Sequence, residues 1–154
     1  MLVYEAQRAA MAAVKPGAKF KDINRAGQEV LAKGLADMGV LPVSPEESMK
    51  PEVGLHRRWT VHGVSHMLGM DVHDCAQARA EQYADGVLAA GMILTVEPGL
   101  YIHEDDELFP AEYRGIGVRI EDDVLVTESG HRNLSAGLPS HPDEIEVWMA
   151  NLLR

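Results

Sequence analysis

Cysteine is almost absent: Cys75 is the only one in 154 residues. An internal disulfide and a thiolate zinc cage are therefore excluded. The lack of disulfides fits a reducing compartment. Basic residues are also scarce, 14 Lys and Arg against 24 Asp and Glu, for a net charge of −10. An acidic surface repels phosphate backbones, which argues against a nucleic-acid partner. No apolar run approaches the ~20 residues a membrane span requires, so no membrane partner is expected. The N-terminus has no basic stretch followed by a hydrophobic core, so no secretory signal is read there, and the cytoplasm is the expected location. Internal repeats and low-complexity segments are missing as well. What remains is an ordinary globular composition, 46% hydrophobic and 25% charged, which argues against disorder. The length suits a single domain that buries roughly 70% of the surface its unfolded chain exposes.

Residues 2–14 (LVYEAQRAAMAAV) are rich in helix formers and free of Gly and Pro, which predicts a helix. Pro16-Gly17 ends it. No Ser, Thr, Asp or Asn caps its start at Leu2, so a segment is expected upstream. Asp22 is placed to cap a second helix over about 23–38. Ile23, Ala26, Val30 and Met38 form its apolar stripe, and Gly39 stops it. Residues 40–56 hold Pro42, Pro51 and Gly54 and read as a connection. From Trp59 onward short apolar runs replace the helical stripe. Met92–Val96 is a strand candidate closed by Pro98-Gly99. Ile116–Ile120 alternates, with Ile116, Val118 and Ile120 on one side and Gly117, Arg119 and Glu121 on the other. Asp122-Asp123 is expected to turn or bulge, Val124–Thr127 to return as a strand, and Glu128-Ser129-Gly130 to turn again. Pro142 opens a last helix of about 143–152, with Asp143 and Glu144 where the helix dipole favours acids. Helices, then strands, then a helix predict an α+β fold.

Three places hold residues suited to chemistry. Trp59–Asp74 (WTVHGVSHMLGMDVHD) carries His62, His66 and His73, three of the chain's seven histidines; ordinary surface histidines are the competing reading. His62 and His66 have the i, i+4 spacing of helical zinc peptidases, but no Glu follows His62 and glycines flank the pair. Ile93–Tyr101 (ILTVEPGLY) ends an apolar strand in Glu97, and carboxylates are rarely buried unless paired or metal-bound. An exposed strand end is the alternative there. Pro98 holds Glu97 extended. In Gly115–Asp123 (GIGVRIEDD), Arg119 and Glu121 share a face. They form either a surface ion pair worth under about 1 kcal/mol or, with Gly117 leaving room beside them, part of a site. One imidazole and two carboxylates suit Mn²⁺, Co²⁺ or Zn²⁺. Paired metals sharing a water would lower its pKa, although three donors are too few for such a site.

HGVSHMLGMDVHD, LTVEPGLYI and YRGIGVRIEDDVLVTESGHRNLS resemble the catalytic half of the Xaa-Pro aminopeptidase (aminopeptidase P) family. PDEIEVWM is similar to its closing helix. The resemblance runs from about Leu2 to the end. It implies the pita-bread fold shared with prolidases, methionine aminopeptidases and creatinase, a curved antiparallel sheet with flanking helices. It implies that His66, Glu97 and Glu121 are metal ligands, with Glu121 bridging two divalent ions, Mn²⁺ first and Co²⁺ or Zn²⁺ as alternatives. It further implies that Glu97 is the general base toward a metal-activated water. His62 and His73 would line the site, and Arg119 would steady the carboxylates or the proline side of the substrate. The substrate would be a peptide with proline at its second position. The family carries two more metal-binding aspartates on a hairpin upstream of the first helix, together with an N-terminal domain. The expectation is thus an N-terminally truncated single domain with weak or incomplete metal binding and a sheet edge open to self-association. Asp74 and Asp85 repeat the eleven-residue spacing of that aspartate pair but follow the histidines, so they are read as coincidence. A non-catalytic pita-bread module that binds a peptide or partner, and a prolidase, are the alternatives.

Overall fold

The computed structural model describes residues 1–75 and 77–153. Two helices lead. The first, α1, spans Leu2–Ala13 and stops at the Pro16-Gly17 turn, where Gly17 takes φ +84°. The second, α2, spans Phe20–Asp37 and starts three residues before the expected position. Asp22 is therefore inside the helix, not its cap: its carboxylate accepts from the Lys19 amide, satisfying one of the donors a helix start leaves free. The buried Phe20 and Ile23 face inward from this first turn. Gly39, at φ +74°, closes the other end with its amide bonded to the Ala36 carbonyl.

The two helices pack antiparallel. Leu2 lies so close to Gly34 that a Cβ there would meet it, while a Cβ on Gly27 would be in ordinary contact with Ala10 and would meet Val64. The segment after α2 contains a short helix α3 over Pro45–Ser48 and a 3₁₀ turn over Leu55–Arg58, where the sequence predicted only a connection. Buried Trp59 is fixed by its indole N–H, which donates to Asp106 at 2.7 Å.

Five short strands follow: β1 Ile93–Val96, β2 Gly99–Tyr101, β3 Gly117–Arg119, β4 Asp122–Thr127 and β5 Gly130–Asn133. All pairings are antiparallel, in the orders β1-β4-β5 and β2-β3. The architecture is α+β as expected, but the hairpin predicted at Asp122-Asp123 is not there. Those residues begin β4, and the chain runs on from β3 without reversing. Nor do Ile116 and Val118 form a buried face; they are 44% and 43% exposed.

β1 with β2, and β3 with β4, make two nearly continuous ribbons. Both are interrupted at one level, at Glu97-Pro98 and at Ile120-Glu121. Proline has no N–H for the ladder, and only a long Ile120 amide to Pro98 carbonyl bond of 3.4 Å spans the break. The register persists across it. Val96 faces Asp122 and Gly99 faces Arg119, so counting inward from either side sets Glu97 opposite Glu121. The other edge of β1 is covered by residues 64–68. The Leu68 amide bonds to the Ile93 carbonyl, Thr95 to His66 and Glu97 to Val64, at 2.7–3.0 Å. β1 is thereby central, and its Leu94 and Val96 join Val124 and Val126 of β4 against α1 and Phe20 in the main core. The last helix, α4, spans Pro142–Leu152 with His141 accepting from the Asp143 amide, close to its expected bounds.

Candidate metal centre

Three neighbouring backbone runs deliver the three acidic or imidazole groups singled out in the sequence. His66 comes from the segment beside β1, Glu97 from the end of β1, and Glu121 from the position opposite it on the neighbouring ribbon. One ligand atom from each lies within 4.8 Å of the other two. Like charges directly opposite on a ladder destabilise a sheet, so an unexplained glutamate pair here is a local conflict. A cation between them would resolve it.

The histidine is already set for that role. His66 Nδ1 donates to the Met67 carbonyl at 3.0 Å, which leaves Nε2 as the ligand nitrogen. That Nε2 stands 3.0 Å from Glu97 Oε1. Glu97 is only 8% exposed. Its Oε1 accepts from the Thr95 hydroxyl at 3.0 Å, and the same hydroxyl oxygen accepts from the His66 amide at 3.1 Å. Arg119 bridges the carboxylates with its Nε, 3.5 Å from Glu121 and 4.0 Å from Glu97. The donors therefore fit a divalent ion: one imidazole nitrogen with its tautomer fixed, two carboxylates, and coordination positions left open.

Around this cluster the other expected residues divide. The ring of His73, which is exposed, packs edge-on against His66 with centroids 4.5 Å apart. His62 is not among the ligand atoms. Its Nδ1 donates to the Gly63 carbonyl and its Nε2 accepts from the Tyr101 hydroxyl, both at 2.7 Å. The two side chains close over Gly99, where a Cβ would lie 2.6 Å from Tyr101 and 2.8 Å from His62 Nε2. Asp85 is tied to Lys21, and among the described residues the cluster that could hold an ion includes neither Asp85 nor Asp74. Thr95 and Tyr101 were not singled out from the sequence. A signal for Thr95 existed: it lies two residues before Glu97 on a strand, and alternation places both on one face.

The chain matches metallopeptidase family M24 over residues 1–128. It is 61% identical over 150 residues to Xaa-Pro aminopeptidase 1 of Streptomyces coelicolor, covering 97% of this chain and 30% of that protein. Among solved structures it is similar to the aminopeptidase PepP of Pseudomonas aeruginosa, with TM-score 0.89 and 39% identity over 97% of this chain and 33% of that one. It also resembles a zinc-substituted aminopeptidase P of Escherichia coli in complex with product, with TM-score 0.86, 38% identity and the same coverage of each chain. The sequence thus spans about a third of the length of the relatives it matches.

Proposed function

Because the chain belongs to metallopeptidase family M24, we propose that it forms the His66, Glu97 and Glu121 part of the catalytic centre of an Xaa-Pro aminopeptidase. This centre hydrolyses the bond between an N-terminal residue and a following proline. The observation that carries this reading is the opposed glutamate pair with His66 Nε2 3.0 Å from one of them. When bound, divalent cations supply Lewis-acid activation of water and of the scissile carbonyl; Mn²⁺ is the first candidate and Co²⁺ or Zn²⁺ the alternatives. His66, Glu97 and Glu121 hold the ions. Glu97, dry and oriented by Thr95, accepts the proton of the attacking water. Arg119 offsets the negative charge of the two glutamates and faces the proline side of the substrate. His62, its tautomer fixed by Gly63 and its Nε2 occupied by the Tyr101 hydroxyl, lines the substrate side of the site with that tyrosine and positions the peptide. His73, exposed beside His66, passes protons to the departing amine.

Homo-oligomerisation belongs to the same reading, because β3 has only β2 as a partner among the described strands and an open edge recruits further strands. So does a cytoplasmic location; no described helix is long and apolar enough to cross a membrane. The test is to incubate the chain, alone and joined in a fusion to the part of the Streptomyces coelicolor relative that it does not cover, with Mn²⁺ and an Xaa-Pro-Xaa peptide. Release of the first amino acid by the fusion, lost in Glu97→Gln, is expected. A fusion that binds the peptide without cleaving it contradicts the reading and favours a non-catalytic peptide-binding module.

A further inference from the structure

We propose that Thr95 is a positioning residue for the metal centre, one hydroxyl that locks two ligands into a single geometry. The inference rests on the reading of His66 and Glu97 as ligands. Thr95 is 2% exposed on the central strand. Its Oγ1 lies 3.1 Å from the His66 amide and 3.0 Å from Glu97 Oε1. These two contacts fix the direction of the hydroxyl proton. The amide can only donate, so it occupies an oxygen lone pair, and the single O–H is left to point at the carboxylate. The Thr95 amide in turn donates to the His66 carbonyl at 2.9 Å. His66 is thus held through both of its backbone polar groups by one residue, while Glu97 is held through a ligand oxygen. Without the hydroxyl, Glu97 Oε1 keeps only the imidazole within reach, and the His66 amide loses its acceptor inside a covered ladder. Groups that orient ligands in this way are typically worth about 10–100-fold in metal affinity.

The experiment titrates Mn²⁺ alone into chelator-treated chain by calorimetry, for the natural sequence and for Thr95→Val, Thr95→Ser and Glu97→Gln. Thr95→Val keeps the shape and removes the hydroxyl; it is expected to weaken Mn²⁺ binding about 10–100-fold and to lower the metal-free thermal midpoint by a few degrees, because the His66 amide is left without its acceptor. Thr95→Ser, which restores the hydroxyl, is expected to bind like the natural chain. Natural-strength binding by Thr95→Val overturns the inference and leaves the metal centre standing. Absence of Mn²⁺ binding by the natural chain, or unchanged binding by Glu97→Gln, overturns the metal centre itself. If Thr95→Val fails to fold, hydrogen exchange of the metal-free natural chain decides: a protected His66 amide is expected, and exchange at the unfolded rate overturns the bond on which the inference stands.

Discussion

Replacing Glu121 with Gln should make the metal-free protein more stable, although it removes an ion pair. In Glu121 and Glu97 the two ligand oxygens are no more than 4.8 Å apart. Two negative charges at that distance repel by about 1 kcal/mol when fully solvated and by about 3–4 kcal/mol at an effective dielectric of about 20. The Glu121 side chain is 39% exposed, so the lower part of that range applies. Against this stands the loss of the Arg119–Glu121 pair at 3.5 Å, whose arginine is half exposed and whose worth is under about 1 kcal/mol. Arg119 is then free to turn wholly to Glu97, 4.0 Å away. The net expectation for Glu121→Gln is a gain of about 1 kcal/mol, or roughly 2–4 °C in Tm for a domain of this size. The assay is thermal unfolding after exhaustive chelation, at low and high salt. The gain should shrink at high salt, where the repulsion is screened. Adding Mn²⁺ should reverse the order, because ligand binding to the native state raises stability only where the site is intact. A Glu121→Gln protein that is less stable than the natural chain without metal refutes the view of this pair as a conflict relieved by a cation.

Two further expectations concern the surroundings of the site. Burial raises the Asp106 carboxyl, but donors from the Arg58 and Trp59 side chains and the Leu108 amide outweigh it and hold the group below its ordinary value of 3.8. The folded protein then binds this proton less readily than the unfolded chain, so the stabilisation is complete above about pH 4 and is lost as the pH falls through the depressed value. Urea titrations should find Asp106→Ala destabilised by about 1–3 kcal/mol at pH 7, where the Trp59 indole loses its acceptor, with the gap to the natural protein narrowing toward pH 2. Gly99→Ala should press on Tyr101 and His62, break their 2.7 Å bond and lower peptide cleavage by about 10–100-fold. Mn²⁺ affinity measured on the same protein should change far less, because neither Tyr101 nor His62 belongs to the cluster that could hold the ion; equal losses in both would contradict this division of labour.

The helices were legible because their signals are local. Helix formers fill residues 2–14, and Gly17 and Gly39 sit where the backbone needs a positive φ. The residues of the candidate metal centre were legible because His66, Glu97 and Glu121 each stand in one of the three short motifs that carried the resemblance. The path of the strands was not. Gly117–Arg119 alternates like a half-buried strand, yet all three residues are exposed. The break at Ile120-Glu121 carries no Gly or Pro of its own, since the residue that interrupts the ladder is Pro98 on the facing strand. A sequence read in order contains no sign that Glu97 and Glu121 stand opposite each other; that follows only from the shared register on both sides of the break. Asp22 misled for a related reason: an acid near a helix start can serve as the cap or, three positions in, reach back to it, and the apolar Phe20 drew the helix forward.

The most direct measurement of the central claim is Mn²⁺ anomalous diffraction from a crystal of this chain grown with the ion. The expected result is an anomalous peak within coordination distance of His66 Nε2 and an oxygen of Glu97, with Glu121 as the third protein ligand and Arg119 outside the coordination sphere. A density peak elsewhere on the protein, with His66 Nε2 and Glu97 Oε1 still in direct contact, would contradict it.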